Sequence, residues 1–339
     1  MTNWTDRAPR AWARENLTGV SGVTIPTFSA DLATLNERAI AHDIDLSARL
    51  GFDWTLLVSE VSITPEEYGR FTAVAHEAAN HRIGLVAHAG FGTLSENIRG
   101  CQLAADNGAD LVLLSYPSQF WPTSEQEIYE YTREFCASVD LPVMLFAIPL
   151  WGFERVHPLG MSVELIRRML DTIPNVVAIK SEQGYPLIGG ILEMYHHFRD
   201  RVIISCPIES DCLPLMLVLD LQFSGTSNTQ WMSDYFPKAF AAARGGRWED
   251  AMAEHWRVNP ARQANIAATT AYIGGTQVIN RTLWKYQDWL AGFNGGPLRA
   301  PAMRVPDRAM QMLRAGLVAS SLPVTDSPDS DFMRGRHPA

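Results

Sequence analysis

The chain is 339 residues long, 47% hydrophobic and 19% charged, with a formal net charge of −9. That length fits one large α/β barrel or two modest domains, and the composition fits a globular protein with a sizeable core. An acidic balance without basic stripes argues against a nucleic-acid partner, and no apolar run is long enough to span a bilayer.

The first segment, 1–18, lacks the apolar core of a signal peptide, so a soluble, cytoplasmic protein is expected. From residue 19 onward, strand-like apolar runs alternate with amphipathic stretches. Strands are predicted at 22–28 (GVTIPTF), 52–60, 82–90, 109–117, 141–149, 175–182, 201–207 and 221–228. Helices are predicted between and after them, at 34–49, 65–80, 94–107, 124–138, 161–173, 187–198, 209–219 and 232–245. Strands this apolar are buried on both faces, as in a parallel sheet covered by helices. Eight such units predict a (β/α)₈ barrel, the TIM-barrel fold of the α/β class, over 19–245. No G-x-G-x-x-G follows a strand, which weakens a dinucleotide-binding alternative. A C-terminal helical extension is predicted over 246–320. It comprises two amphipathic runs, RWEDAMAEHWRVNPARQANI and TQVINRTLWKYQDWLAGF, the turn NGGPLRAPAMRVP and the helix DRAMQMLRAGLVAS. The last stretch, 321–339, is Pro/Asp/Ser-rich and reads as a flexible tail. Cys101, Cys136, Cys206 and Cys212 show no metal-ligand spacing and read as reduced, buried thiols.

Active sites of barrels form at the carboxyl ends of the strands. The polar residues ending these runs are Glu60, His88, Tyr116, Lys180, Glu182, Ser205 and Asn228. Lys180, in NVVAIKSEQG, stands out because only three of the 28 basic residues are lysine. An amine desolvated among Val176, Val177, Ala178 and Ile179 has a lowered pKa, and a neutral amine can attack a ketone to form a Schiff base, as a guanidinium cannot. The competing reading is a lysine that pairs with Glu182 in solvent. His88 has two readings, acid/base and hydrogen-bonded structural histidine. Glu60 is a catalytic candidate or part of the turn before SITPEE, which carries a helix-capping signal. Trp121 and Trp151 fall in loops just after strands four and five, on the rim of the site.

These segments, in this order, resemble the dihydrodipicolinate synthase / N-acetylneuraminate lyase family of class I, Schiff-base aldolases. The likeness runs over roughly 19–320. It is carried by GVTIPTF, by LVAHAGFGTLSENIRGCQLAADNGADLVLLSYP, by WPTSEQEIYEYTREFCASVDLPVMLF, by NVVAIKSEQG, by FSGTSN and by LWKYQDWLAGFNGGPLRAPAMRVP with Arg299. The resemblance implies that Lys180 is the Schiff-base lysine. It also implies that no metal or cofactor takes part, and that the chain forms a homo-oligomer, a dimer or tetramer.

The chain departs from the family at several places. Phe146 stands where the family has a proton-relaying tyrosine, and Trp151 where the synthase branch has a carboxylate-anchoring arginine. LVSEVSIT replaces the Gly-Thr-Thr-Gly-Glu loop, leaving Ser59, Glu60 and Ser62 as partial substitutes. Of the paired tyrosines after strand four, only Tyr116 remains nearby. Aromatic side chains (Phe120, Trp121, Phe146, Trp151) replacing polar ones predict a larger, flatter, less charged substrate.

The expected function is therefore a Schiff-base lyase or aldolase, or a hydratase-aldolase, on a 2-oxo acid with an aromatic or hydrophobic group. Lys180, Tyr116, Glu60 and His88 are the catalytic candidates. Ser59, Ser62, Phe146, Trp151, Trp121, Glu182, Ser205 and Asn228 are the substrate-binding candidates. Two alternatives are a dehydratase or isomerase using the same imine, and a barrel that binds a small molecule without catalysis.

Overall fold

The computed structural model describes residues 8–148, 151–182, 187–276, 279–301 and 304–339. Pro149, Gln183 and Gly184, which fall in or beside the predicted strands, lie outside the described residues.

Eight parallel strands form the barrel: β1 (Gly19–Thr24), β2 (Trp54–Leu57), β3 (Gly84–Ala89), β4 (Leu111–Leu114), β5 (Val143–Ala147), β6 (Val176–Ser181), β7 (Ile203–Ser205) and β8 (Phe223–Ser224). They pair in sequence order from β1 to β7, and β8 pairs back onto β1. Almost every strand residue is buried, as expected of strands covered on both faces. The remaining seam, β7 against β8, is closed by side chains. Ser205 Oγ donates to Gly225 O at 2.7 Å and accepts from Gly225 N at 3.0 Å, and Ser224 Oγ donates to Cys206 O at 2.6 Å. Gly225 is needed at this seam, because a Cβ there would stand 2.4 Å from Ser21 Cβ.

The helices following the strands are α2 (Glu37–Arg49), α3 (Pro65–Ala79), α4 (Leu94–Asp106), α5 (Glu125–Ser138), α6 (Val163–Thr172), α7 (Leu187–Phe198), α8 (Glu209–Leu215) and α9 (Tyr235–Arg244). Their starts follow local chemistry. Asn36, Thr64, Thr93, Ser124 and Ser162 each cap a first turn through the side chain, and Thr64 with Glu67 forms the capping box expected from SITPEE.

The first strand begins earlier than predicted and stops at Thr24, since Pro26 has no N–H to donate to a ladder. The N-terminal segment holds an unpredicted helix, α1 (Pro9–Asn16), across the amino ends of the strands. Trp12 packs edge-on against Trp54 at 6.2 Å, Arg10 Nε donates to Val176 O at 3.0 Å, and Gln222 Nε2 donates to Leu17 O at 2.9 Å. The end opposite the site is thereby closed.

The helical extension is α10 (Trp248–Arg257), α11 (Asn259–Thr276), α12 (Arg281–Leu290) and α13 (Asp307–Ala319). The run predicted as one helix at 247–266 is two, because Pro260 cannot continue α10 but suits the first turn of α11. A buried network ties α11 to the barrel helices: Arg262 grips Glu209 of α8 with two bonds of 2.8 and 2.9 Å, and Tyr235 Oη of α9 donates to Glu209 at 2.6 Å. The expected flexible tail is corrected. Residues 321–339 pack on α12 and α13, with Phe332 buried 5.3 Å from the Tyr286 ring, Arg314 bonded to Asp329 at 2.5 Å, and Arg336 donating to Trp289 O and Phe293 O, both at 2.9 Å. Its polar composition hid two buried apolar anchors, Leu322 and Phe332, and several side chains that bond backbone carbonyls.

Candidate active site

β6 carries one extra residue relative to β5: Val143 pairs with Val176, but Met144 pairs with Ala178. Side chains alternate along a strand, so this bulge decides which face the residues after it take. After it, Phe146 pairs with Lys180 and Lys180 with Ser205, which places the three side chains on one face at the carboxyl ends of β5, β6 and β7.

Lys180 is 5% exposed. Its Nζ lies 3.4 Å from Glu182 Oε1 and 3.7 Å above the centre of the Phe146 ring. Burial lowers its pKa below that of an ordinary lysine, Glu182 draws it partly back, and the positive charge of Arg281 lowers it further. The ion pair with Glu182 thus exists, but within the enclosed strand end rather than in solvent.

Beside it stand His88 and Glu60. His88 is buried and bonded at both ring nitrogens: Ser59 N–H approaches Nδ1 at 3.5 Å, and Nε2 is 2.9 Å from Ser115 Oγ. A donor at Nδ1 assigns the proton of the neutral ring to Nε2, which then donates to Ser115. Burial holds His88 down to about 4, with Arg281 and Lys180 adding to the shift against the pull of Glu60. Glu60 Oε1 lies 3.9 Å from His88 Nε2, and Oε2 accepts from Arg281. Burial opposes the Glu60 charge, but Arg281, His88 and Lys180 together hold its carboxyl below the usual glutamate value. Gly90 allows this closeness: a Cβ there would meet His88 Cε1 at 2.7 Å and Glu60 Cγ at 2.9 Å. Ser59 Oγ donates to His88 O at 2.8 Å and accepts from Gly90 N at 3.1 Å, so it fixes the backbone here.

Other expected residues serve elsewhere. The Tyr116 hydroxyl is 2.6 Å from Thr132 Oγ1 on α5, outside the strand ring, and its pKa is pushed up by burial. Its ring stacks on Phe120 and meets the Phe153 and Trp151 rings edge-on, at 4.9 and 6.0 Å. Ser62 Oγ donates to Ala300 O at 2.6 Å, on the C-terminal loop. Ser205 is committed to the barrel seam. Asn228 lies against α12; in its better-paired amide orientation Nδ2 donates to the Asp288 carboxylate at 3.1 Å. Trp151 does reach the site: its Nε1 donates to Phe146 O at 2.7 Å and its ring meets that of Phe146 edge-on at 5.5 Å. Trp121 is 71% exposed beneath the Arg155 guanidinium, on the outer rim.

Two site residues were missed from the sequence. Ser115 follows the last residue of β4 as an unremarkable serine. Arg281 is the first residue of α12 and comes from outside the predicted barrel. Its signal was local: a cation in a first turn opposes the helix dipole, so NRTLWKY asks for a compensating carboxylate, and Glu60 is that group. Among the described residues, no group of three or more His, Cys, Asp and Glu side chains is placed to hold a metal ion, and no helix is long and apolar enough to cross a membrane.

The model of the dihydrodipicolinate synthetase family matches residues 60–284. This chain belongs to that family. Within this dihydrodipicolinate synthetase family member, the matched stretch contains Glu60, His88, Lys180 and Arg281. Among curated relatives, 4-hydroxy-tetrahydrodipicolinate synthase of Helicobacter pylori strain G27 is 27% identical over 198 residues, 55% of this chain and 62% of that one. The enzyme of the same name from Methanothrix thermoacetophila is 24% identical over 89% of this chain and 97% of its own. The chain thus spans about three-fifths of the length of the first Helicobacter relative and nearly all of the Methanothrix one. Dihydrodipicolinate synthase from Aquifex aeolicus superposes with a TM-score of 0.74 at 21% identity, over 91% of this chain and 100% of that one. YagE, a prophage protein of the family from E. coli K12 in complex with pyruvate, gives 0.73 at 20% identity over 90% and 99%. These likenesses bear out the barrel.

Proposed function

We propose that this protein is a Schiff-base lyase acting on a 2-oxo acid with an aromatic or hydrophobic group. The observation that carries this reading is Lys180 itself: a buried amine with a lowered pKa, in register with Phe146, in a family whose relatives include proteins named 4-hydroxy-tetrahydrodipicolinate synthase. The neutral Nζ adds to the ketone carbon and forms a C–N bond. The carbonyl oxygen takes up two protons and leaves as water, giving the imine. Once protonated, the imine accepts the electron pair of the breaking carbon–carbon bond while a hydroxyl on the departing fragment loses its proton and becomes a carbonyl; a proton then returns to the enamine carbon, and water hydrolyses the imine to release the keto acid and free Nζ.

Glu182, 3.4 Å from Nζ, and the group formed by neutral His88, Glu60 and Ser115 are able to move that proton; Tyr116 is tied to Thr132. Phe146 and Trp151 form an apolar wall where a flat group would lie. The expected working form is a homo-oligomer, checked by light scattering.

A dehydratase reading is favoured by one feature: a ring without a hydroxyl, Phe146, stands against the lysine. In that case the imine expels water rather than cleaving carbon–carbon bonds. The test is NMR on a panel of 2-oxo acids in D₂O. Deuterium entering the carbon beside the ketone shows the enamine, and the product distinguishes cleavage from water loss. No exchange with any acid would overturn the reading.

A further inference from the structure

Arg281 is 6% exposed, yet its guanidinium is not fully used. Nη2 donates to Glu60 Oε2, the guanidinium carbon lies 4.5 Å over the Trp284 ring, and Nε is buried with no hydrogen-bond partner. A buried charged donor without an acceptor is costly, and native chains rarely keep one without reason. Glu60 links it to His88, whose Nε2 lies 3.9 Å from Glu60 Oε1, and its positive charge lowers the pKa of both His88 and Lys180. A guanidinium is a planar fork of donors, the geometry that receives a carboxylate with two parallel bonds, and this one already holds a carboxylate, that of Glu60.

We propose that Arg281 receives the carboxylate of the 2-oxo acid, and that Glu60 is its resting counter-ion, displaced in part when substrate binds. This rests on the Schiff-base reading for the identity of the ligand. It assigns to the C-terminal helix α12 the anion site that the loop after β2 does not supply, since Ser62 is turned to Ala300 and Ser59 to the His88 backbone. It also gives α12 a role in the barrel mouth: Asn280 caps the helix through Leu283 N at 3.0 Å and so fixes where Arg281 starts.

The experiment compares wild type, Arg281→Gln, Arg281→Lys and Glu60→Gln with three probes: pyruvate, its neutral methyl ester, and lactate, which cannot form an imine. Lactate affinity is read by calorimetry, and trapping of the two ketones by borohydride is read by intact mass. Arg281→Gln should lose about 10-fold or more in lactate affinity and in pyruvate trapping, and stay within about 2-fold for the ester. Arg281→Lys should recover part of the loss. Glu60→Gln should bind lactate more tightly, because a competing carboxylate is gone; a merely structural pair would weaken all probes in both variants. Equal losses for acid and ester, unchanged lactate affinity in both Arg281 variants, or no lactate or pyruvate binding by wild type would each overturn the proposal. If Arg281→Gln does not fold, Arg281→Lys and Glu60→Gln decide it. Lactate binding that depends on Arg281, without trapping of either ketone, would leave the carboxylate site standing and sink the Schiff-base reading instead.

Discussion

Lys180 and Lys285 are both buried, and what surrounds each amine separates their roles. Lys285 Nζ is held by Thr27 Oγ1 at 2.6 Å and Pro26 O at 2.9 Å, with Ile25 O at 3.4 Å, so its donors are committed to pinning α12 onto the end of β1. Lys180 meets one carboxylate and the face of a ring. Since Glu182 raises the Lys180 pKa against burial, Glu182→Gln should lower it and move the acid limb of the imine-trapping rate to lower pH. A limb that stays put or moves to higher pH would show that Glu182 does not act on the amine. His88 makes a second prediction at this scale. Its folded pKa, about 4, lies below the unfolded value of about 6.5. The unfolded chain therefore takes up a proton that the native state refuses, and stability is lost as pH falls from about 6.5 toward 4. Between pH 7 and 4.5, wild type should lose roughly 2–3 kcal/mol more than His88→Gln in urea unfolding. Parallel losses would place His88 in a wetter setting.

β7 and β8 are short, and the ladder gives way there to serine side chains. Ser205→Ala removes both partners of Gly225 in the barrel interior and should cost about 1–3 kcal/mol in urea unfolding. A variant within about 0.5 kcal/mol of wild type would mean that the seam closes in another way. The alternation of apolar runs made every barrel strand and helix legible, as buried strands and capped helices carry their own local signals. The bulge in β6 was not legible, because an extra valine in an apolar run changes no pattern, yet it sets the face of Lys180. Tyr116, Ser62 and Ser205 were correctly placed near strand ends, but their hydroxyls were claimed by Thr132, Ala300 and Gly225. A hydroxyl's choice among partners depends on long-range packing that spacing along the chain does not encode.

Across the whole molecule, the C-terminal layer completes the barrel mouth instead of decorating it. α12 brings Arg281 to Glu60 at its first turn, and its last turn, with Trp289, rests on Phe332 at 5.9 Å. Composition concealed both ends of this arrangement: the tail read as disordered because it is polar, and Arg281 lay beyond the predicted barrel. Phe332→Ala should cost roughly 3–5 kcal/mol, as for other large buried aromatics, and lower the melting temperature by several degrees. An unchanged melt would mean that the tail adds no stability. The proposed chemistry of the whole molecule stands on one covalent bond. Incubating the protein with a panel of 2-oxo acids and borohydride, then mapping the reduced adduct by peptide mass spectrometry, tests that bond directly. The adduct should fall on Lys180 and vanish in Lys180→Arg; no adduct with any acid, or one on Lys238 or Lys285 instead, would contradict it.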